Sequence, residues 1–160
     1  MIPNFKDPEN AIYSNFFPCE IKYDNMFFQN AEGAYQAGKF VDREIKKEFM
    51  ELPGGQAKAL AKKYNTFKRS DWHDINRGHM SGVLHAKFTQ HKDLRIQLIN
   101  TYPQEMVEGN WWHDNFWGVC TCGKTPGCDG TGKNWLGRML MAERVYWLDL
   151  MANKYKGSGR

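Results

Sequence analysis

Residues 20–42, EIKYDNMFFQNAEGAYQAGKFVD, hold the local signals that decide the fold. Residues 20–23 and 26–28 flank Asp24-Asn25, a two-residue turn typical of a tight antiparallel hairpin. Asn30 follows closely and is a good helix cap, because its side chain can accept from an N–H of the first turn. The stretch therefore predicts a hairpin that leads directly into a helix over residues 31–42.

Four further helices are predicted after this stretch. Pro53-Gly54-Gly55 interrupts the chain, and apolar residues then resume helical spacing as far as Tyr64. Asp71 can cap a helix that reaches about Gln90, and helical patterns follow at residues 93–101 and 134–155. These elements indicate an α+β fold class, a predominantly helical single domain with a small antiparallel β-sheet. We assign residues 1–152 to that domain and residues 153–160 to a flexible tail.

The composition is that of an ordinary globular protein. Of the 160 residues, 41% are apolar and 25% are charged. No apolar run approaches the roughly 20 residues that a membrane span needs, and the N-terminus lacks the pattern of a secretory signal. Four cysteines are too few for a disulfide scaffold in a chain of this length, so we expect a reducing, cytoplasmic location.

The net charge of +4 overstates how basic the protein is. Lys154, Lys156 and Arg160 lie in the last nine residues, which contain no acid, so removing those three charges leaves +1. That net charge is too small to indicate binding to duplex nucleic acid, although it permits a local basic pocket for one or two phosphates. A nucleic-acid-binding module is therefore disfavoured.

Four polar side chains share one face of the first predicted helix, at positions i, i+4, i+7 and i+11: Glu32, Gln36, Lys39 and Arg43. A solvated helix face is the simpler interpretation of such a stripe. Side chains lean toward the N-terminus of a helix, however, so Lys39 would lie over Gln36 and approach Glu32. A carboxylate, an amide and an amine would then converge on one bound group.

That combination suits hydrolysis of a ribosyl C–N bond. The bond breaks through a ribose with oxocarbenium character, which a carboxylate such as Glu32 stabilises while it orients or deprotonates water. An amine has a second route, because a ribosylamine can open to an imine that Lys39 would capture as a Schiff base. This route requires a lowered Lys39 pKa, through burial or through a second cation such as Arg43.

Glycines and aromatic residues replace the apolar periodicity ahead of the last predicted helix, and loops of this kind often carry function. Asp114 and Trp117 lie there, in an arrangement that ordinary turns also produce. Gly130-Thr131-Gly132 precede the helix, whose first backbone N–H groups would be free to bind a phosphate. Lys133 and Arg138 would add positive charge to that site.

Three cysteines, Cys120, Cys122 and Cys128, lie in the same stretch and would supply three thiolates to a zinc ion. The candidates for a fourth ligand are Cys19, His113 and Asp129. Two ligands separated by a single residue depart from the usual C-x2–4-C spacing of zinc sites. We therefore predict free thiols in this loop and no metal ion or other cofactor, with structural zinc as the alternative.

Five motifs, in order over about residues 4–150, resemble those of the NADAR (YbiA-like) family. Ser14-Asn15-Phe16 with Pro18 resembles its SNF…P opening, and residues 30–40 resemble its EHxxQxxKF helix. Residues 86–90 resemble KFxQ, residues 114–118 resemble DxxWG, and residues 132–141 resemble GxNxLGxxLM. The histidine that follows the glutamate in that family is Gly33 here, and the cysteine-containing loop lengthens the chain after Gly118.

The resemblance implies an N-glycosidase that acts on a phosphorylated riboside, either a riboflavin-pathway intermediate or ADP-ribosylated guanine in nucleic acid. It implies that Glu32 is catalytic and that Lys39 lies in the active site. The side chains that we expect to contact substrate are Asn15, Phe16, Gln36, Asp114, Trp117, Lys133, Asn134 and Arg138. The alternative is a non-catalytic module that binds NAD or ADP-ribose, and no membrane partner is expected.

Overall fold

The computed structural model describes the backbone of residues 1–157 and the side chains of residues 1–154. Its regular elements are β1 (Ile21–Tyr23), β2 (Met26–Phe28), α1 (Ala31–Ala37), α2 (Arg43–Lys47), α3 (Gly54–Lys63), α4 (Trp72–Gln90), α5 (Lys92–Asn100), β3 (Gly109–Asn110), β4 (Val119–Cys120) and α6 (Trp135–Gly157). Short 3₁₀ helices cover Pro8–Tyr13 and Asn65–Phe67. The predicted α+β class, mostly helical with a small antiparallel sheet, is confirmed.

The chain separates into two compact units, which we name by their main elements. The hairpin unit is residues 14–90, and the α6 unit is residues 1–13 together with the chain from His91 onward. No helix among the described residues combines the length and the apolar character needed to cross a bilayer.

The predicted hairpin opens the hairpin unit, with β1 paired antiparallel to β2. Asp24 and Asn25 form its turn with φ of 52° and 57°, a left-handed conformation that these residue types tolerate and that matches the strand twist. Asn30 caps α1 as predicted, because its side chain accepts from the N–H of Gly33 at 2.8 Å. The core of the unit is formed by Ile21, Met26, Phe28, Phe40, Phe49, Ala57 and Val83.

The first helix is shorter than the predicted span of 31–42. It ends at Ala37, where the N–H of Gly38 donates to carbonyls of the last turn, and α2 begins only at Arg43. Asp42 caps that new helix by accepting from the N–H of Glu44 at 2.8 Å. Aspartate is favoured at a helix N-cap, so α2 is a new helix rather than a continuation of α1. Lys39 and Arg43 therefore do not continue the α1 stripe, and that part of the prediction is wrong.

The α6 unit packs α5 against α6 and adds a second, parallel pair of strands that the sequence does not predict. Strands β3 and β4 have two residues each, too short to show an alternating pattern. A parallel bridge joins Ile2 to Met106, and the N–H of Val107 donates to the Ile2 carbonyl at 2.8 Å. Helix α6 continues to Gly157. Residues 158–160 of the predicted tail lie outside the described residues. The predicted boundary between domain and tail at residue 152 stays a prediction.

Replacing Asn30 with alanine should lower the free energy of unfolding by about 1–2 kcal/mol. The change removes the cap on the Gly33 N–H and also the hydrogen bond that Asn30 Nδ2 donates to the Leu52 carbonyl. Urea unfolding followed by circular dichroism measures the loss. Asn153→Ala, at an exposed position of α6, is the matched control and should stay within about 0.5 kcal/mol of the parent. Equal losses in the two variants would contradict the capping role.

Candidate active site

Helix α1 buries its polar stripe, so the solvated-face interpretation of Glu32 and Gln36 is wrong. All residues of Ala31–Ala37 are buried, with Glu32 at 7% and Gln36 at 3% exposure. Gln36 Nε2 donates to Glu32 Oε1 at 2.7 Å. A buried carboxylate costs several kcal/mol unless it is hydrogen-bonded or paired, so this interaction contributes to keeping Glu32 inside the fold.

Two buried amide oxygens near this pair have no hydrogen-bond partner within the described part of the chain: Asn15 Oδ1 and Gln36 Oε1. Asn15 lies beside the start of α1, where its backbone carbonyl accepts from the N–H of Glu32 at 2.9 Å. Buried acceptors without a donor are rare in folded proteins and call for an explanation at each site. A ligand that brings hydroxyl groups would supply the missing donors.

Lys39 reaches the same region from the turn that follows α1. Its Nζ lies 5.9 Å from the centre of the Tyr35 ring. Burial lowers the pKa of Lys39, the cations Lys68 and Lys58 lower it further, and the Glu32 carboxylate opposes them. The covalent route requires such a lowered pKa; burial is its largest cause, and the cations that add to it are Lys68 and Lys58 rather than Arg43.

Lys87 is a buried lysine whose importance the sequence pattern did not reveal. It is fully buried within α4, and its Nζ donates to the Ser14 carbonyl at 2.9 Å. Burial lowers the Lys87 pKa to about 8. The contact fixes the residue before Asn15, so Lys87 positions the segment that carries one of the unpartnered oxygens. Its place in the KFxQ-like motif was the sequence feature that could have indicated this role, because a lysine in a helix is ordinarily predicted to lie at the surface.

Phe16 is 41% exposed, and its ring occupies the space where a side chain at Gly54 would begin. Gly33, which replaces the family histidine, is also enclosed. A Cβ there would lie 3.2 Å from the Phe49 carbonyl oxygen and 3.7 Å from the Phe28 ring. Position 33 therefore faces the core of the hairpin unit, where a histidine would need the Phe49 backbone to move.

Asp114 and Trp117 lie in the α6 unit, in the loop between β3 and β4. Asp114 Oδ1 accepts from the N–H of Phe116 at 3.1 Å and from that of Trp117 at 2.8 Å. The Trp117 ring is half-buried and stands edge-on to Phe116, with 5.0 Å between ring centres. One oxygen of Asp114 therefore fixes the turn that carries Trp117.

The expectation that the N-terminus of α6 offers free N–H groups is wrong. The N–H groups of Asn134, Trp135 and Leu136 donate to the carbonyls of residues 118, 116 and 117, at 3.0–3.2 Å. The N–H of Lys133 donates to the Asn115 carbonyl at 2.8 Å. The N–H groups of residues 133–136 therefore have partners within the chain and are not available to a ligand.

Both basic side chains at this end are exposed and lie on aromatic rings. Lys133 Nζ is 5.6 Å from the Phe116 ring centre, and the Arg138 guanidinium is 5.5 Å from that of Trp135. Asn134, with φ of 50°, accepts from the Glu108 N–H at 3.0 Å and donates to the Met106 carbonyl at 2.9 Å. A cavity of about 490 Å³ within the α6 unit is bordered by Met1, Pro3, Glu105, Val107, Thr121, Asn134, Arg138 and Met141, among others.

The structure thus groups Asn15, Glu32 and Gln36 in the hairpin unit, with Lys39 in electrostatic contact with Glu32. In the α6 unit, the loop of Asp114 and Trp117 is tied by backbone hydrogen bonds to the start of α6, which carries the remaining predicted contacts. Those remaining residues are Lys133, Asn134 and Arg138.

Comparison with known proteins gives a consistent result. The family model described as NADAR domain matches residues 4–146. A riboflavin biosynthesis protein of Vibrio vulnificus is 34% identical over 139 residues, which are 86% of this chain but only 36% of that protein. N-glycosidase YbiA of Shigella sonnei is 32% identical over 133 residues, which cover 82% of this chain and 78% of YbiA. The NMR structure of Escherichia coli YbiA matches with a TM-score of 0.79 and 30% identity, over 95% of this chain and 88% of that one.

The electrostatic environment of Lys39 predicts two opposite shifts. Glu32→Gln removes a charge that raises the Lys39 pKa, so the pKa should fall further. Lys68→Ala removes a cation that lowers the Lys39 pKa, so in that variant the pKa should rise. Amine-reactive reagents attack the neutral form, so the pH midpoint for labelling the Lys39 peptide, followed by mass spectrometry, reports both shifts. Midpoints that coincide in the parent and both variants would refute this environment.

Proposed function

The chain belongs to the NADAR family, and from this membership we propose that it is an N-glycosidase that hydrolyses the ribose–nitrogen bond of a phosphorylated riboside. The relatives named above include proteins called N-glycosidase and riboflavin biosynthesis protein. The two substrate classes we propose are riboflavin-pathway intermediates and ADP-ribosylated guanine, and we propose the cytosol as the location.

The observation that carries this proposal is the buried group formed by Glu32, Gln36 and Asn15. Its carboxylate accepts from Gln36, and two amide oxygens find no donor among the residues that the structure describes. A ribose brings hydroxyl groups that can donate to such oxygens, and its anomeric carbon becomes positively charged when the base leaves. A fixed carboxylate beside that carbon stabilises the transition state more than the neutral ground state.

In the direct route, Glu32 acts both as an electrostatic stabiliser and as a general base. It stabilises the oxocarbenium-like ribose and accepts a proton from the attacking water, whose oxygen forms the new bond to the anomeric carbon. The departing nitrogen takes up a proton and leaves as the free base. Lys39 remains a cation in this route and binds a hydroxyl or phosphate oxygen.

In the covalent route, Lys39 is the nucleophile. The ribosylamine opens to an imine, the neutral Lys39 amine adds to its carbon, and the base amine leaves with a proton. Water then hydrolyses the Lys39 imine, which releases the open-chain sugar and restores the amine. The lowered Lys39 pKa favours this route, because it increases the neutral fraction near neutral pH.

The contacts in the α6 unit are proposed from their motifs. Asp114 Oδ1 is taken by two backbone N–H groups, so we assign its other oxygen to a ribose hydroxyl. Trp117 would stack on the base, and Lys133 or Arg138 would meet a phosphate. Asn134 holds the backbone at Met106 and Glu108. We propose that it shapes the cavity of the α6 unit as well as contacting ribose.

A base-release assay tests the function. The protein is incubated with the phosphorylated riboside intermediates of riboflavin synthesis and, separately, with ADP-ribosylated guanine, and free base is followed by mass spectrometry. Release from either class supports N-glycosidase activity and identifies the substrate class. Tight binding of these compounds or of NAD without any base release would instead support the non-catalytic binding module.

Glu32→Gln should lower turnover in that assay by about 10²–10⁴-fold, because the amide cannot stabilise the cation or accept the proton. Its oxygen can still accept from Gln36, so the melting temperature should change by only a few degrees. Glu44→Gln, an exposed carboxylate in the first turn of α2, is the matched control and should keep full activity. Substantial activity in Glu32→Gln would remove Glu32 from the mechanism.

Borohydride reduction during turnover distinguishes the two routes, because it converts an imine to a stable amine. The covalent route predicts a sugar adduct on the Lys39 peptide and an inactive Lys39→Arg variant, although arginine keeps the charge. If turnover is confirmed in the same tube, no adduct forms and Lys39→Arg stays active, then the direct route holds.

A further inference from the structure

We propose that His113, Cys120, Cys122 and Cys128 together bind a structural zinc ion. The three sulfur atoms and a ring nitrogen of His113 all lie within 4.8 Å of one another. Three thiolates and one imidazole form a closed ligand set that suits tetrahedral zinc, with no position left for water. This inference is independent of the proposed glycosidase activity and reverses the expectation of a metal-free loop.

The distances inside the cluster are close to those of a metal site. His113 Nδ1 lies 3.4 Å from Cys122 Sγ and 3.4 Å from Cys128 Sγ. With Zn–S of about 2.3 Å and Zn–N of about 2.1 Å, tetrahedral ligands lie roughly 3.5–3.8 Å apart. Zinc would thus enter a group that is already gathered around a common centre.

The backbone explains how two ligands one residue apart can share a metal. Cys120 ends β4, and the ladder continues through the N–H of Thr121, which donates to the Asn110 carbonyl at 3.0 Å. In extended chain, residues i and i+2 point to the same side, so Cys120 and Cys122 face one centre. Gly123, with φ of 67°, then turns the chain.

Hydrogen bonds to sulfur add support of the kind that surrounds zinc thiolates. The backbone N–H of Lys124 donates to Cys122 Sγ at 3.4 Å. Cys128 Sγ accepts from Thr125 Oγ1 at 2.8 Å and from Asn115 Nδ2 at 3.5 Å. Such outer donors orient the ligands and stabilise their negative charge.

His113 is the fourth ligand among the candidates that the sequence offers. Its φ of 70° is unusual for a residue other than glycine. The Asn110 side chain holds the next residue, because it accepts from the Asp114 N–H at 3.1 Å and donates to the Asp114 carbonyl at 2.7 Å. Asp129 does not belong to the cluster and accepts instead from the Thr131 N–H at 3.1 Å.

The ion would connect His113, on one side of the Asp114–Trp117 turn, with Cys120 on the other. Zinc therefore constrains both ends of a segment that we propose contacts substrate. On that further assumption, loss of the metal should raise KM more than it lowers kcat. Metal binding itself does not depend on this consequence and is measured separately.

Metal analysis of protein purified without chelator under reducing conditions tests the site. We expect one zinc per chain, and less than a tenth of that in Cys122→Ser and His113→Ala. Cys19→Ser is the matched control and should keep the full content. His113→Cys should also keep it, because a fourth thiolate replaces the imidazole. Cobalt exchanged into the parent should show the thiolate charge-transfer and visible bands of a tetrahedral site.

Several results would overturn the proposal. One is a zinc content far below one per chain even after reconstitution with zinc under reducing conditions. Another is equal reactivity of the thiols toward a disulfide reagent with and without zinc, and a third is a disulfide within the cluster in freshly purified, metal-replete protein. Should Cys122→Ser fail to fold, the cobalt spectrum of the parent and the zinc content of His113→Cys decide the matter.

Discussion

The burial of the Glu32 carboxylate is the constraint around which the hairpin unit is organised. A charge in this position needs polar partners, and α1 supplies Gln36 one turn later. The N–H of Glu32 holds the Asn15 carbonyl, and Lys87 from α4 holds that of Ser14. The segment before the hairpin is therefore fixed to both helices by polar contacts rather than by apolar packing alone.

This arrangement also explains why the polar atoms of the site are incompletely satisfied. Gln36 must direct its amino group to the carboxylate, and its oxygen then has no donor in the described part of the chain. Asn15 uses its backbone oxygen for α1, while its side-chain oxygen stays unpartnered within the described residues. Unsatisfied acceptors destabilise the ligand-free fold, and a hydroxyl-bearing ligand would relieve that cost on binding.

In the α6 unit, a long helix begins beside an irregular loop. The carbonyls of residues 115–118 accept the N–H groups of residues 133–136, so the loop and the helix stabilise each other. The glycines serve this close approach, since a Cβ on Gly132 would collide with the Gly118 carbonyl. The cysteine-containing loop that lies between them is held by backbone hydrogen bonds, from the Gly123 N–H to the Cys128 carbonyl at 2.8 Å and from the Gly130 N–H to the Cys120 carbonyl at 3.0 Å, and its thiols gather with the imidazole of His113.

The sequence by itself determined the elements whose signals are local. Asp24-Asn25 specifies the hairpin turn, Asn30 specifies the cap of α1, and the apolar periodicity specifies α3 to α6, because turns, caps and amphipathic faces depend on neighbouring residues. The motif order likewise indicated the family.

Only the tertiary structure decided that α1 is buried on every side, because burial depends on what other elements pack there. It also decided that α1 stops before Lys39, that Lys68 and Lys58 act on Lys39, and that the N–H groups of residues 133–136 are occupied. The clustering of His113 with three cysteines is also decided by the tertiary structure. A β-ladder and the left-handed backbone of His113 bring these side chains together, and neither feature leaves a pattern in the sequence.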